Sequence, residues 1–180
     1  MLNKIKIQLP FSSFTETADE LLGHLVELTL LKTWVLAEVK DEMWIVRACI
    51  DDTFGFEVNQ FVSWNDSLCR SMIIMGGPQC APDISKFEHL AKTAAVTRMG
   101  IESYLGVPIQ SPGNFEGMLC GMDNHVVDEN IICSMPLIET FGRVLAGAWA
   151  NKVPDSPREA PPDVVPGATT AGLLIRKMFG

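Results

Sequence analysis

Two β-hairpin signals held some fifty residues apart and bracketed by long amphipathic helices restrict this chain more than any other pattern in it. Thr33 to Val39 and Met43 to Ile50 are rich in β-branched and aromatic residues, and the polar Lys40-Asp41-Glu42 between them suits a hairpin turn. Ile101 to Ile109 and Phe115 to Met122 form a second pair around Ser111-Pro112-Gly113-Asn114, a strong turn signal. Ahead of the first pair, Ser13 with Glu16 fits a capping box. Apolar residues then recur at Ala18, Leu21, Leu22, Leu25, Val26 and Leu28, which predicts a helix over 15–31. After the second pair a last helix is expected between about Asp128 and Ala150, with Pro136 in its first turn and Ile138, Phe141, Leu145 and Trp149 facing inward. This order of elements belongs to an α+β domain with helices laid on a sheet.

Between the hairpins the signals are shorter. Asp51 to Trp64 is aromatic and rich in turn formers without a period, and is expected as a packed loop. Asn65 or Asp66 can cap a short helix carrying Leu68, Cys69, Met72 and Ile73, which Gly76-Gly77-Pro78 ends. A brief extended segment around Gln79 to Pro82 leads to Ser85 with Glu88, a second capping box, and to Phe87, Leu90, Ala91 and Ala94.

The chain has 180 residues, enough for one domain and an appendage, and its 47% hydrophobic content supplies a core. A net charge of -8 with no clustered Lys and Arg argues against nucleic acid as a direct partner. Met1 to Pro10 carries no apolar run long enough for a signal peptide or a membrane span, so a cytoplasmic location is expected. Cys49, Cys69, Cys80, Cys120 and Cys133 are odd in number and show no Cys-x-x-Cys spacing, which speaks against a zinc site or a disulfide framework. Prolines at 154, 157, 161, 162 and 166 mark a linker. The expected organisation is an extension over 1–14, a domain over 15–150, a Pro-rich linker over 151–167 and a short amphipathic segment over 168–180. In that last segment Leu173, Leu174, Ile175, Met178 and Phe179 offer an apolar surface to a protein partner.

The order of several residue groups resembles that of GAF domains, especially the sensory ones placed ahead of diguanylate cyclase domains in bacterial signalling proteins. The groups are Phe54-Gly55-Phe56, the run Phe61 to Cys69, Ala81-Pro82-Asp83-Ile84, the run Ser103 to Ile109, and Gly117 to Asp123. The resemblance covers roughly residues 15–150. It implies a central antiparallel β-sheet with the terminal helices on one face and short helices closing a pocket on the other. It also implies a stand-alone sensory or regulatory module, signalling in trans, that binds a small ligand or pairs subunits through its terminal helices. In a homodimer of that kind Val26, Leu30, Val144 and Ala148 are left over for the seam.

Candidate pocket residues follow from the same groups. Trp64 and Tyr104 are aromatics that serve as a ligand wall or as core. Asp66, with Ser67, caps a helix or faces the pocket; Asp83 and Asp123 fit turn or cap roles as well as pocket ones. Cys120 is a further pocket candidate, and Cys69 and Cys80 raise a redox alternative, since some GAF-fold proteins reduce free methionine sulfoxide with one cysteine as nucleophile and another resolving the intermediate. Cys69 and Cys80 are the pair the linear order suggests, Cys69 lying in the first turns of a short helix. The cysteine that such reductases carry after the Pro-Asp segment is not found around Ala91 to Arg98, which favours a non-enzymatic role. No cysteine is followed by histidine, the usual mark of covalent bilin attachment, and the Asn-Lys-Phe-Asp-Glu signature of cyclic-nucleotide binding is missing. His24 and His89 have no partner spacing for a metal. A ligand-free dimerisation module remains a third alternative.

Overall fold

A computed structural model of the chain, which describes residues 13–74, 79–111 and 114–150, joins both hairpins in one antiparallel sheet. The linker over 151–167, the segment over 168–180 with its Leu173 to Phe179 cluster, residues 1–12, Gly76-Gly77-Pro78 and Pro112-Gly113 lie outside the described residues. Six strands are described: β1 (Thr33–Lys40), β2 (Met43–Asp51), β3 (Phe61–Ser63), β4 (Cys80–Ala81), β5 (Ser103–Ser111) and β6 (Asn114–Asp123). Their order across the sheet is β3-β2-β1-β6-β5-β4. The helices are α1 (Phe14–Thr29), α2 (Leu68–Ile74), α3 (Glu88–Ala91), α4 (Ala94–Met99) and α5 (Met135–Ala150).

β1 lies at the centre of the sheet, and its residues Thr33 to Ala37 are all buried, as a strand covered on both faces requires. On one face Trp34, Leu36, Leu105 and Val107 pack against Leu21, Leu22 and Leu25 of α1 and Ile138, Phe141 and Leu145 of α5. On the other, Val35, Ala37, Trp44, Val46 and Tyr104 meet Leu68 and Met72 of α2, Leu90 of α3 and Ala95 of α4. The architecture is therefore α+β with the terminal helices on one face and the short helices on the other, as the resemblance implied. The stretch Glu129–Trp149 has a mean hydropathy of 1.3, long and apolar enough by composition to cross a membrane. Ile138, Phe141 and Leu145 face the sheet, so core packing accounts for part of that apolarity, while 28% of the apolar window is buried.

Several local expectations change, each for a physical reason. α1 ends at Thr29 rather than at residue 31, because Leu30 turns into the left-handed region (φ 60°) and donates its N–H to the Val26 carbonyl at 2.9 Å. The first hairpin loop has two residues, since Lys40 pairs with Met43 and both Asp41 and Glu42 take positive φ (51° and 60°). The loop expected over Asp51 to Trp64 contributes β3 at its end, paired to Met43, Trp44 and Ile45 of β2. Ser67, rather than Asn65 or Asp66, caps α2 by accepting the Arg70 N–H at 3.1 Å, because Trp64–Asp66 close a 3-10 turn of their own. The capping box at Ser85 and Glu88 does not form: Asp83 takes the Ser85 N–H at 3.0 Å and starts a 3-10 turn over Ile84–Lys86, and Thr93 starts α4 separately. The last helix begins with a 3-10 stretch, Glu129–Ser134, and Pro136 falls in the first turn of α5, where no N–H is needed.

Two glycines show how tightly the helix-bearing face is packed. A Cβ built on Gly121 would lie 2.7 Å from the Trp34 indole and 2.8 Å from Leu31 Cδ1, whereas one on Gly147, exposed on α5, meets nothing within 4 Å. Gly121→Ala is expected to cost about 1–3 kcal/mol and Gly147→Ala to add about 0.5–1 kcal/mol, both read from urea unfolding midpoints.

Candidate functional site

The site is built from β2 outward. Asp51 closes β2, and its carboxylate collects the Thr33 hydroxyl at 2.5 Å and the N–H groups of Thr53, Phe54 and Phe56 at 2.9, 2.9 and 2.5 Å. Burial pushes its pKa up, but these four donors outweigh that and hold it below the ordinary carboxylate value. The turn so fixed delivers Phe56 edge-on to Trp44, with ring centroids 5.7 Å apart, and Phe54 edge-on to Phe56 at 6.3 Å. Behind these rings lies a cavity of about 40 Å³ between the sheet and the short helices. Trp44 and Phe56 wall one side, Cys69 and Leu68 of α2 another, Ala95 and Met99 of α4 a third, and Tyr104 forms part of the floor. Its accessible lining is apolar, and the buried Trp44 indole N–H approaches the Cys69 thiol, whose ionised form it favours.

At the edge of the cavity two thiols and a phenol converge. Cys69 Sγ of α2 lies 3.0 Å from Cys120 Sγ of β6, and the Tyr104 hydroxyl donates to Cys69 Sγ at 3.2 Å while lying 3.4 Å from Cys120 Sγ. All three residues are buried. Gly106, two residues along β5 from Tyr104, makes this possible: a Cβ there would overlap the Tyr104 hydroxyl and lie 2.9 Å from its Cζ. Burial disfavours a Cys69 thiolate, yet hydrogen bonds from Cys120 and Tyr104 more than offset it, so the Cys69 thiol sits below its ordinary pKa. Burial pushes Cys120 and Tyr104 well above theirs. The chemistry available is that of one ionisable thiol beside two groups that keep their protons.

Of the pocket candidates, Cys69 and Tyr104 line the cavity, Cys120 lies against them, and Trp64 packs part-buried against the same core. Asp66 is half-buried in the 3-10 turn ahead of α2 and does not line the cavity. Asp83 instead caps its turn and borders a separate, more open hollow with Ile84, Val96, Glu102 and Val126. Asp123 ends β6 and ties down the α1–β1 connection, accepting the Lys32 N–H at 3.2 Å with His125 Nδ1 3.1 Å away. Cys69 and Cys80 do not meet. Successive strand residues point to opposite faces, so Ala81 joins the cavity-side core while Cys80 packs toward α1 and α5, where burial raises its thiol to about 11. Sequence reasoning missed Trp44, which shares a sheet face with Val46, and the alternation along β2 was the available signal. Nothing local signalled the Cys69–Cys120 pair, whose members are 51 residues apart.

Solved structures similar to this one are GAF domains. The GAF domain of an Acinetobacter phosphoenolpyruvate-protein phosphotransferase superposes with a TM-score of 0.61 at 15% identity, covering 78% of this chain and 84% of its own. The GAF region of a membrane protein from Geobacter sulfurreducens gives 0.59 at 18% identity, covering 77% and 93%. A type II free methionine-R-sulfoxide reductase from Thermoplasma acidophilum gives 0.59 at 9% identity, covering 77% and 93%. No protein-family profile matches the sequence, and no curated protein matches it. The chain has the GAF fold.

Asp51 offers a direct test of how the cavity wall is held. Because its folded pKa is lowered, its contribution is present above the ordinary carboxylate pKa and is lost as pH falls through the folded value. Asp51→Asn is expected to cost about 1–3 kcal/mol at pH 7, with the gap to the parent chain narrowing as the medium is acidified below about pH 4. Parallel denaturant unfolding of both chains between pH 7 and pH 2 checks this.

Proposed function

We propose that this chain is a sensory or regulatory module whose small-molecule site is the cavity beneath α2 and α4. The observation that carries the reading is an apolar cavity walled by Trp44, Phe56 and Tyr104 and covered by the short helices α2 and α4. Such a lining favours an apolar occupant, which gains about 25 cal/mol for each Å² of apolar surface it buries. At about 40 Å³ the cavity takes an occupant of one or two water molecules' size; ligand pockets of about 300–1,000 Å³ are far larger. A larger ligand has to displace the cover, which is made of helices of seven, four and six residues. Ligand binding is thereby tied to a movement of the cover, which is what a sensor needs. Among the described residues no group of His, Cys, Asp and Glu able to hold a metal is found, and the reading invokes none.

The same proposal includes pairing of two chains through α1 and α5. Val144 of α5 is 43% exposed and Leu30, in the turn that ends α1, is 80% exposed, with Val26 and Ala148 part-buried on the two helices. The five free cysteines suit a reducing compartment, in keeping with a cytoplasmic place of action. A non-enzymatic role is supported by the separation of Cys69 from Cys80 on opposite faces of the sheet.

Native mass spectrometry of the freshly purified full chain tests both parts. The expected result is a dimer that releases a small molecule on denaturation. Ala95→Leu, which fills the cavity, loses the small molecule and keeps the dimer. A bare chain mass in the parent protein overturns the ligand reading, and a monomer at micromolar concentration overturns the pairing.

A further inference from the structure

We propose that Cys69 and Cys120 form a hydroperoxide-driven thiol–disulfide site that fastens α2 to the central strand β6. The inference is independent of the small-molecule reading, since it needs only the thiol pair and a route for a small oxidant. The two sulfurs lie 3.0 Å apart, and a disulfide bond is about 2.05 Å long, so they need approach by only about 1 Å. Cys69 lines the cavity, which has room for a molecule of hydrogen peroxide's size but not for a tripeptide disulfide. The Tyr104 hydroxyl, placed over Gly106, donates to Cys69 and so supports the thiolate there, while Cys120 stays protonated. None of the other cysteines has this arrangement: Cys49 donates to the Phe56 carbonyl at 3.4 Å and is raised by burial and nearby carboxylates, Cys80 is raised to about 11, and Cys133 is exposed.

The chemistry balances with one hydroperoxide. The Cys69 thiolate attacks a peroxide oxygen, the O–O bond breaks, and the departing hydroxide takes up the proton that Cys69 had released, leaving as water. Cys69 is now a sulfenic acid. Cys120 sulfur attacks the Cys69 sulfur, the S–O bond breaks, and the hydroxyl leaves with the Cys120 proton as a second water. Two thiols are oxidised to one disulfide and one hydrogen peroxide is reduced to two waters. The bond closes a loop from α2 to β6 and pins the helix that forms one wall of the cavity, so oxidation stiffens the cover.

The test uses the full reduced chain treated with hydrogen peroxide at pH 7, then unfolded, alkylated and mapped by mass spectrometry. The expected result is a loss of about 2 Da, a cross-linked peptide containing Cys69 and Cys120, and a melting temperature higher by roughly 5 °C or more. Cys80→Ser keeps all three and Cys120→Ser loses them. Tyr104→Phe preserves the packing volume and is expected to slow disulfide formation roughly ten-fold, with the pH midpoint of the rate moved upward. Recovery of Cys69 and Cys120 as alkylated thiols after exposed Cys133 has been oxidised, or a disulfide between any other pair, overturns the proposal. An unchanged rate and pH profile in Tyr104→Phe overturns the role given to the phenol.

Discussion

Trp34 lies against Gly121 on the neighbouring strand, and much of the helix-bearing half of the molecule is anchored by that contact. The indole occupies the space a side chain at 121 would take, with Leu31 filling the remainder. From there its N–H reaches Thr29 Oγ1 at 3.1 Å, and the Thr29 hydroxyl in turn donates to the Leu25 carbonyl at 2.6 Å. The last turn of α1 is thus tied to the sheet through the Thr29 hydroxyl, which donates within the helix and accepts from Trp34. With α1 held at that end, Leu21, Leu22 and Leu25 fall over β1 and the neighbouring strands, and Phe14 at the other end meets Trp149 of α5 edge-on at 5.1 Å. The left-handed turn at Leu30 follows from the same anchoring, since the chain must reverse within three residues to enter β1.

The opposite face is organised by an analogous absence. Gly106 leaves room for the Tyr104 hydroxyl to bend back toward the two sulfurs, and the phenol fills what would otherwise be a void beneath α2. The consequence is a polar cluster inside an apolar core, held by the hydrogen bonds among Cys69, Tyr104 and Cys120. Burial makes ionisation of both Cys120 and Tyr104 costly, so any charge placed there settles on Cys69.

The long elements were legible because their signals are local and repeat many times. Six apolar positions in α1 and the two alternating pairs of runs fixed helices and strands to within a few residues, and the order of residue groups pointed to the GAF fold. What failed were decisions between neighbouring acceptors: Asp83 against Ser85, Ser67 against Asp66, each separated by one or two residues and a fraction of a kcal/mol. At the site, Cys69 and Tyr104 were legible as members of the resemblance. The association of Cys69 with Cys120 was not, because it depends on which face of β6 carries residue 120 and on where α2 sits over the sheet. The linear proximity of Cys80 was misleading for the same reason, since a strand of two residues sends its side chains to opposite sides.

The sheet is bounded by β3, three residues long, and β4, only two. Backbone hydrogen-bonding capacity is therefore concentrated in the middle of the sheet, where β5, β6, β1 and β2 satisfy one another over eight to ten residues each. Each border strand covers only part of its neighbour: β4 pairs with Tyr104 and Leu105 alone, and β3 with Met43, Trp44 and Ile45, while β5 runs on to Ser111 and β2 to Asp51. Each border is therefore stepped, and a strand added from another copy would meet a break in the ladder where the two- or three-residue strand ends.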